Sequence, residues 1–135
     1  MSDCLFCKIV AGQIPNHTVL ETADALAFLD IFPCVDGHVV VIPKTHAATL
    51  PELPIDKVGP LYEAVQAAMK RMQDVLVCDG FTVGWNHGEA GGQAVPHLHI
   101  HILPRWEKDG GGNMHSIIKI PTKIPVAEMA AKFKV

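Results

Sequence analysis

Residues 91–106 read GGQAVPHLHIHILPRW, with His97, His99 and His101 at every second position and Leu98, Ile100 and Ile102 in between. In an extended strand, side chains two apart share a face. Three imidazoles therefore line one side and three aliphatic chains the other. The aliphatic side predicts a core against a helix. Adjacent histidines stand about 6.6 Å apart along such a strand and the outer two about 13 Å apart. Neighbours can share one small ligand, but all three can hardly bind one metal through bonds of about 2 Å.

The pattern on either side sets the fold class. HTVLETADALAFLD (17–30) reads as a hairpin, Thr18–Glu21 and Ala25–Leu29 around a turn at 22–24. Gly37 leads into HVVVIP, a β-branched run stopped by Pro43. From 55 to 77, Leu61, Val65, Ala68, Met69, Met72, Val75 and Leu76 recur by threes and fours, which predicts a long amphipathic helix ended by Asp79-Gly80. Residues 81–86 and 97–103 read as strands joined by a glycine-rich loop, GEAGGQ. Short helices are expected at 4–10 and 126–133. The sum is an α+β domain with a mainly antiparallel sheet. No repeat or linker divides it.

Composition narrows the function classes. The 135 residues are 49% apolar and 19% charged, with net charge −3, so no global positive field recruits nucleic acid or an anionic membrane. No apolar run reaches the length of a membrane span. The N-terminus lacks the cationic and apolar regions of a signal peptide, so a cytoplasmic location is the default expectation. Of the four cysteines, Cys4 and Cys7 have the spacing of half a metal site. Cys34 and Cys78 stand alone and read as small buried residues without an assigned role.

Three readings of the histidine strand compete. It could be a polar solvent face, or a catalytic zinc site using two imidazoles, which would need a third ligand the sequence does not supply. The third is phosphate chemistry. Neutral imidazole is a nucleophile at pH 7, an adjacent imidazolium can stabilise phosphate charge, and glycine amides in GGQAV can approach phosphate oxygens.

The run from Gly92 to Leu103 resembles the signature of the histidine triad (HIT) family, His-X-His-X-His-X-X with X apolar. CLFCKIVAGQIP, FLDIFPCVDGHVVVIPKTH and WNHGEAGGQ follow the family order. The resemblance covers residues 4 to 106, leaving 107–135 as a C-terminal extension of a single domain, 1–135. It implies a HIT-like fold of about five strands with one long and one or two short helices, and a sheet continued across a homodimer. It also implies a hydrolase or nucleotidyltransferase that cleaves at the α-phosphate of nucleoside phosphoramidates or dinucleoside polyphosphates. A purine nucleotide or its conjugate would be the partner.

By matching position, His99 resembles the nucleophile that becomes nucleotidylated. His101 resembles the residue that contacts the phosphate and helps the leaving group, and His38 the fourth site histidine. Asp30 matches the ribose-binding carboxylate, while Asn86, Gly92 and Gln93 match nucleotide-contacting positions. Cys4, Cys7, His46 and His97 match the structural zinc of bacterial-type members. Two departures stand out. Ala94 replaces a frequent serine or threonine, and the ending Leu103-Pro104-Arg105 resembles polyphosphate-cleaving members, which would let Arg105 meet a distal phosphate and Trp106 stack on a second base. A nucleotide-binding regulatory module with weak turnover is the rival from another class.

Overall fold

The hairpin is local chemistry. In the computed structural model, which describes residues 3–134, β1 (Thr18–Glu21) pairs antiparallel with β2 (Ala25–Leu29). The Thr22 hydroxyl oxygen accepts from the amides of Asp24 (3.3 Å) and Ala25 (3.0 Å), which closes the turn. β3 (Val39–Pro43) pairs with β2 from Ala25↔Pro43 to Leu29↔Val39. Proline at the end of β3 forfeits one donor where the ladder stops anyway.

The rest of the sheet is completed from far along the chain. β5 (Ile100–Arg105) lies between β3 and β4 (Gly80–Gly84), giving the order β1-β2-β3-β5-β4 with every pair antiparallel. His101 stands opposite Val40 on one side and Gly84 on the other. The long helix α2 (Ile55–Leu76) covers one face, where Leu61, Ala64, Val65, Ala68 and Met72 meet Ala27, Val41, Leu98, Ile100 and Ile102. The opposite face carries Phe28, Val40 and Ile42, and helix α1 (Leu5–Val10) packs Phe6 and Ile9 onto it. The imidazoles continue that second face. α3 (Gly88–Gly91) and α4 (Val126–Ala131) are short. No helix among the described residues is long and apolar enough to cross a membrane.

Fold class, hairpin, long helix and apolar strand face agree with expectation. Five local readings need correction. The helix ends at Val77, which turns left-handed (φ 52°), before the expected Asp79-Gly80 stop. Gln73 fastens that end by donating from Nε2 to the Cys78 carbonyl at 2.6 Å. The last strand joins the ladder only at Ile100, because the Leu98 amide bonds the Ala47 carbonyl (2.8 Å) in a loop. The strand expected at 81–86 runs Gly80–Gly84. GEAGGQ holds a turn of helix rather than loop alone, closed by Gly92 at φ 94°. Val75, counted on the apolar face, is exposed.

Val77 is β-branched, exposed and left-handed, a conformation that costs an L-residue roughly 1–2 kcal/mol. Val77→Gly removes that strain without opening the core. Allowing for the greater chain entropy of glycine, it should raise unfolding free energy by about 0.5–1 kcal/mol in urea titrations.

Candidate active site and metal centre

Two clusters of imidazoles sit on the face opposite α2, and backbone atoms decide what each ring can do. A ring nitrogen bonded to a carbonyl must carry the proton, which leaves its partner nitrogen with a lone pair. His97 Nε2 donates to the Pro43 carbonyl (2.9 Å), so its Nδ1 is the free acceptor. His99 Nδ1 donates to the His97 carbonyl (2.7 Å), so Nε2 holds the lone pair. No buried side-chain nitrogen or oxygen among the described residues lacks a partner, and His99 Nε2 has none, so that atom opens outward.

The Cys34 amide donates to His38 Nδ1 (3.1 Å), which puts the His38 proton on Nε2. That nitrogen donates to His101 Nδ1 at 2.9 Å. His101 therefore keeps its proton on Nε2. Asp30 Oδ2 stands 3.5 Å from the same His38 nitrogen, a secondary contact beside the shorter bond to His101. The other oxygen, Oδ1, accepts from the Phe32 amide at 2.8 Å. Asp30, His38 and His101 are near enough to suggest a cation site, but the 2.9 Å gap between the imidazole nitrogens is filled by one shared proton.

Burial favours neutral rings here. It lowers the pKa of His38, against the opposing charge of Asp30. His101 is pushed down to about 4, chiefly by burial and then by the neighbouring His99 and His38. The His99 and His101 rings are 5.0 Å apart, centre to centre. Phe6 sets its edge against His99 at 5.1 Å and against His97 at 5.8 Å. Phe6 was missed in the sequence, although its place between Cys4 and Cys7 was the available signal.

The second cluster is Cys4, Cys7, His46 and His97. A tetrahedral ion with thiolate and imidazole ligands sets its donor atoms roughly 3.3–3.8 Å apart. Cys4 Sγ to His97 Nδ1 is 3.4 Å, Cys7 Sγ to His97 Nδ1 3.6 Å, Cys7 Sγ to His46 Nδ1 3.2 Å, and the two Nδ1 atoms 3.2 Å apart. These four residues could hold a metal. The lone pair of His97 already faces the others. Burial pushes the Cys7 thiol up, and nearby Cys4 adds to it, so the thiolate forms only where a cation replaces the proton.

Other expected site residues are placed less simply. Asn86 borders a cavity of about 230 Å³ together with His38 and His101. Gln93 is engaged by main chain: Oε1 accepts from the Gly88 amide (2.8 Å), and Nε2 donates to the carbonyls of Ala48 (2.7 Å) and Val95 (2.9 Å). It holds the glycine loop in shape. Gly92 supplies the left-handed turn beside Asn86. Cys78 is buried as expected, but Cys34 is exposed: its loop presents the backbone amide to His38, and the residue borders the same cavity as His38 and His101. Arg105 is not free to meet a phosphate, since Asp109 holds it through two bonds of 2.7 and 2.8 Å.

A HIT domain profile matches residues 11–108. An adenosine 5'-monophosphoramidase of Candida albicans is 36% identical over 118 residues, 82% of this chain and 75% of that protein. An adenylylsulfatase of Arabidopsis thaliana is 38% identical over 108 residues, 80% of this chain and 55% of that one. The crystal structure of a HIT family member from Bacillus subtilis superposes with a TM-score of 0.82 at 35% identity, covering 98% of both chains.

The depressed pKa of His101 has a consequence for stability. Between pH 6.5 and about 4 the unfolded chain carries a proton on this imidazole that the folded chain refuses. Stability must therefore decline as pH falls through that window. Urea midpoints at pH 7 and pH 5 should show the decline, and His101→Asn should flatten it.

Proposed function

The chain belongs to the HIT family, and on that premise we propose that it is a nucleotide hydrolase or nucleotidyltransferase that cleaves at an α-phosphate through a covalent nucleotidyl-His99. The observation that carries this reading is the pattern of ring hydrogen bonds, which assigns a lone pair to His99 Nε2 and a proton to His101 Nε2, on rings 5.0 Å apart. The similarity to an adenosine 5'-monophosphoramidase and an adenylylsulfatase supports an adenine nucleotide as one half of the substrate.

In this reading His99 Nε2 attacks phosphorus, the bond to the leaving group breaks, and the ring becomes positively charged. The His97 carbonyl, already accepting from Nδ1, stabilises that charge. An anionic phosphate beside His101 favours its imidazolium form, which hands a proton from Nε2 to the departing atom. Water then attacks the phosphorus, its bond to His99 Nε2 breaks, and the water gives a proton back to His101, releasing the nucleoside monophosphate and neutral His99. His38 holds the His101 ring in register. Asp30 keeps one oxygen toward the ribose, and Asn86 and the glycine loop ending at Gly92 and Gln93 border the phosphate.

Zinc is the proposed ion at Cys4, Cys7, His46 and His97, since mixed thiolate and imidazole donors at tetrahedral spacing suit it. Its contribution when bound would be structural: it would tie α1 and the segment after β3 to the loop that leads through His99 into β5. A homodimer is proposed as well. β4 is an edge strand with one free ladder side, and the extension beyond it exposes Ile117, Ile118, Ile120 and Phe133.

The nucleophile is tested by stereochemistry and by substitution. A substrate chiral at phosphorus should be hydrolysed with retention, and inversion would exclude the covalent intermediate. His99→Ala should lower kcat by several orders of magnitude while nucleotide affinity stays within a few-fold. For the metal, elemental analysis should find one zinc per chain. Chelation should lower the melting temperature by roughly 10 °C while nucleotide remains able to bind.

A further inference from the structure

We propose that the open end of the cleft between α2 and the sheet binds a linear fatty carboxylate, with Arg71 holding the carboxylate and the cleft enclosing the chain. This cleft lies on the face of the sheet opposite the imidazole clusters. Residues two apart on a strand share a face, so Leu29 continues the row of Ala25 and Ala27 that packs beneath α2. The alanines are 0% and 1% exposed, whereas Leu29 is 39% exposed. The row has outrun its roof. Across the gap, Val75 in the last turn of α2 is 67% exposed, although Met72, three residues earlier, is buried.

Between these residues lies a cavity of about 380 Å³, walled by Val19, Leu29 and Val39 from the sheet and by Met72, Val75 and Leu76 from the helix. Leu76 closes one end against Gly37, where an added Cβ would stand 2.7 Å from its Cδ1 and the backbone is left-handed at φ 87°. Two apolar walls thus face each other without meeting. Their surface stays in contact with water unless a third apolar body fills the space. Size and lining are those of a small-molecule site, in which few polar groups set the orientation of the ligand.

The polar group here is a cation. Among the described residues, the lining contains one charged side chain, Arg71, and no carboxylate. Lys44, Lys57 and Arg105 each meet an acid, whereas Arg71 forms no ion pair among the described residues. In a chain of net charge −3, a guanidinium left open beside apolar walls complements an anionic head on an apolar tail. One guanidinium matches a carboxylate through two parallel bonds, and no second cation borders the groove to balance a phosphate dianion. The same charge argues against a second copy of the chain. A two-fold contact through this patch would bring two arginines to one apolar interface with no acid in the lining for either. A membrane surface is disfavoured because the walls are concave and a single cation attracts it weakly.

The test is titration of the full chain with octanoate, below its micelle-forming concentration, followed by methyl NMR and calorimetry. Binding should saturate and shift the methyls of Val19, Leu29, Val75 and Leu76, while those of Ile9 and Ile42 on the other face stay in place. Arg71→Gln should weaken octanoate at least fivefold and change the affinity for octanol less than twofold. Val75→Glu, an exposed substitution, should abolish octanoate binding with the fold retained by circular dichroism. Shifts spread over both faces, equal losses of octanoate and octanol in Arg71→Gln, or octyl phosphate binding more than tenfold tighter than octanoate overturn the proposal. A lower sedimentation coefficient for Val75→Glu than for wild type also overturns it, since another copy of the chain would then cover the groove.

Discussion

One residue joins the two side-chain clusters of this protein. His97 gives its ring to the Cys4, Cys7 and His46 cluster and its carbonyl to His99. The ring can serve that cluster only because Pro43 takes the proton on Nε2. The orientation of His99 in turn depends on where His97 sits. Phe6 reinforces the junction, since it is carried between the two cysteines and rests on both imidazoles. Because β5 lies between β3 and β4, a shift of one residue would exchange histidines for isoleucines across the sheet. The core under α2 thus sets the register of the site above it.

Much of this was legible in residues 17–43 and 97–103, because alternation and turn chemistry are local. That His97 parts from its two neighbours was also legible, since strand spacing and metal bond lengths conflict unless the row is split. What the sequence concealed was non-local. Nothing near Val77 announces a left-handed helix end; that depends on Gln73 reaching Cys78. Nothing in LPR reveals that Arg105 is occupied, because its partner Asp109 sits in a glycine-rich segment that looks unstructured. Gln93 likewise reads as a free loop amide until Ala48, from a distant loop, is brought to it. In each case a polar side chain was claimed by backbone or charge from elsewhere.

The candidate site depends little on charged side chains in its ligand-free form. His38 and His101 are held neutral by burial. Their roles as donor or acceptor come from the direction of single hydrogen bonds. This arrangement leaves charge to be supplied by whatever anion the site takes up, among rings already oriented to give or take a proton.

The atoms that fix those directions, the carbonyls of Pro43 and His97 and the amide of Cys34, all belong to the main chain. Exchange of one side chain for another does not delete a carbonyl, and only proline deletes an amide. The proton pattern is therefore insulated from ordinary mutation. Met114, which borders the cavity beside His38 and His101, is by contrast a half-exposed side chain whose change carries little folding cost. Variation is therefore absorbed at the rim of the cavity, while the orientation of the rings stays fixed by the main chain.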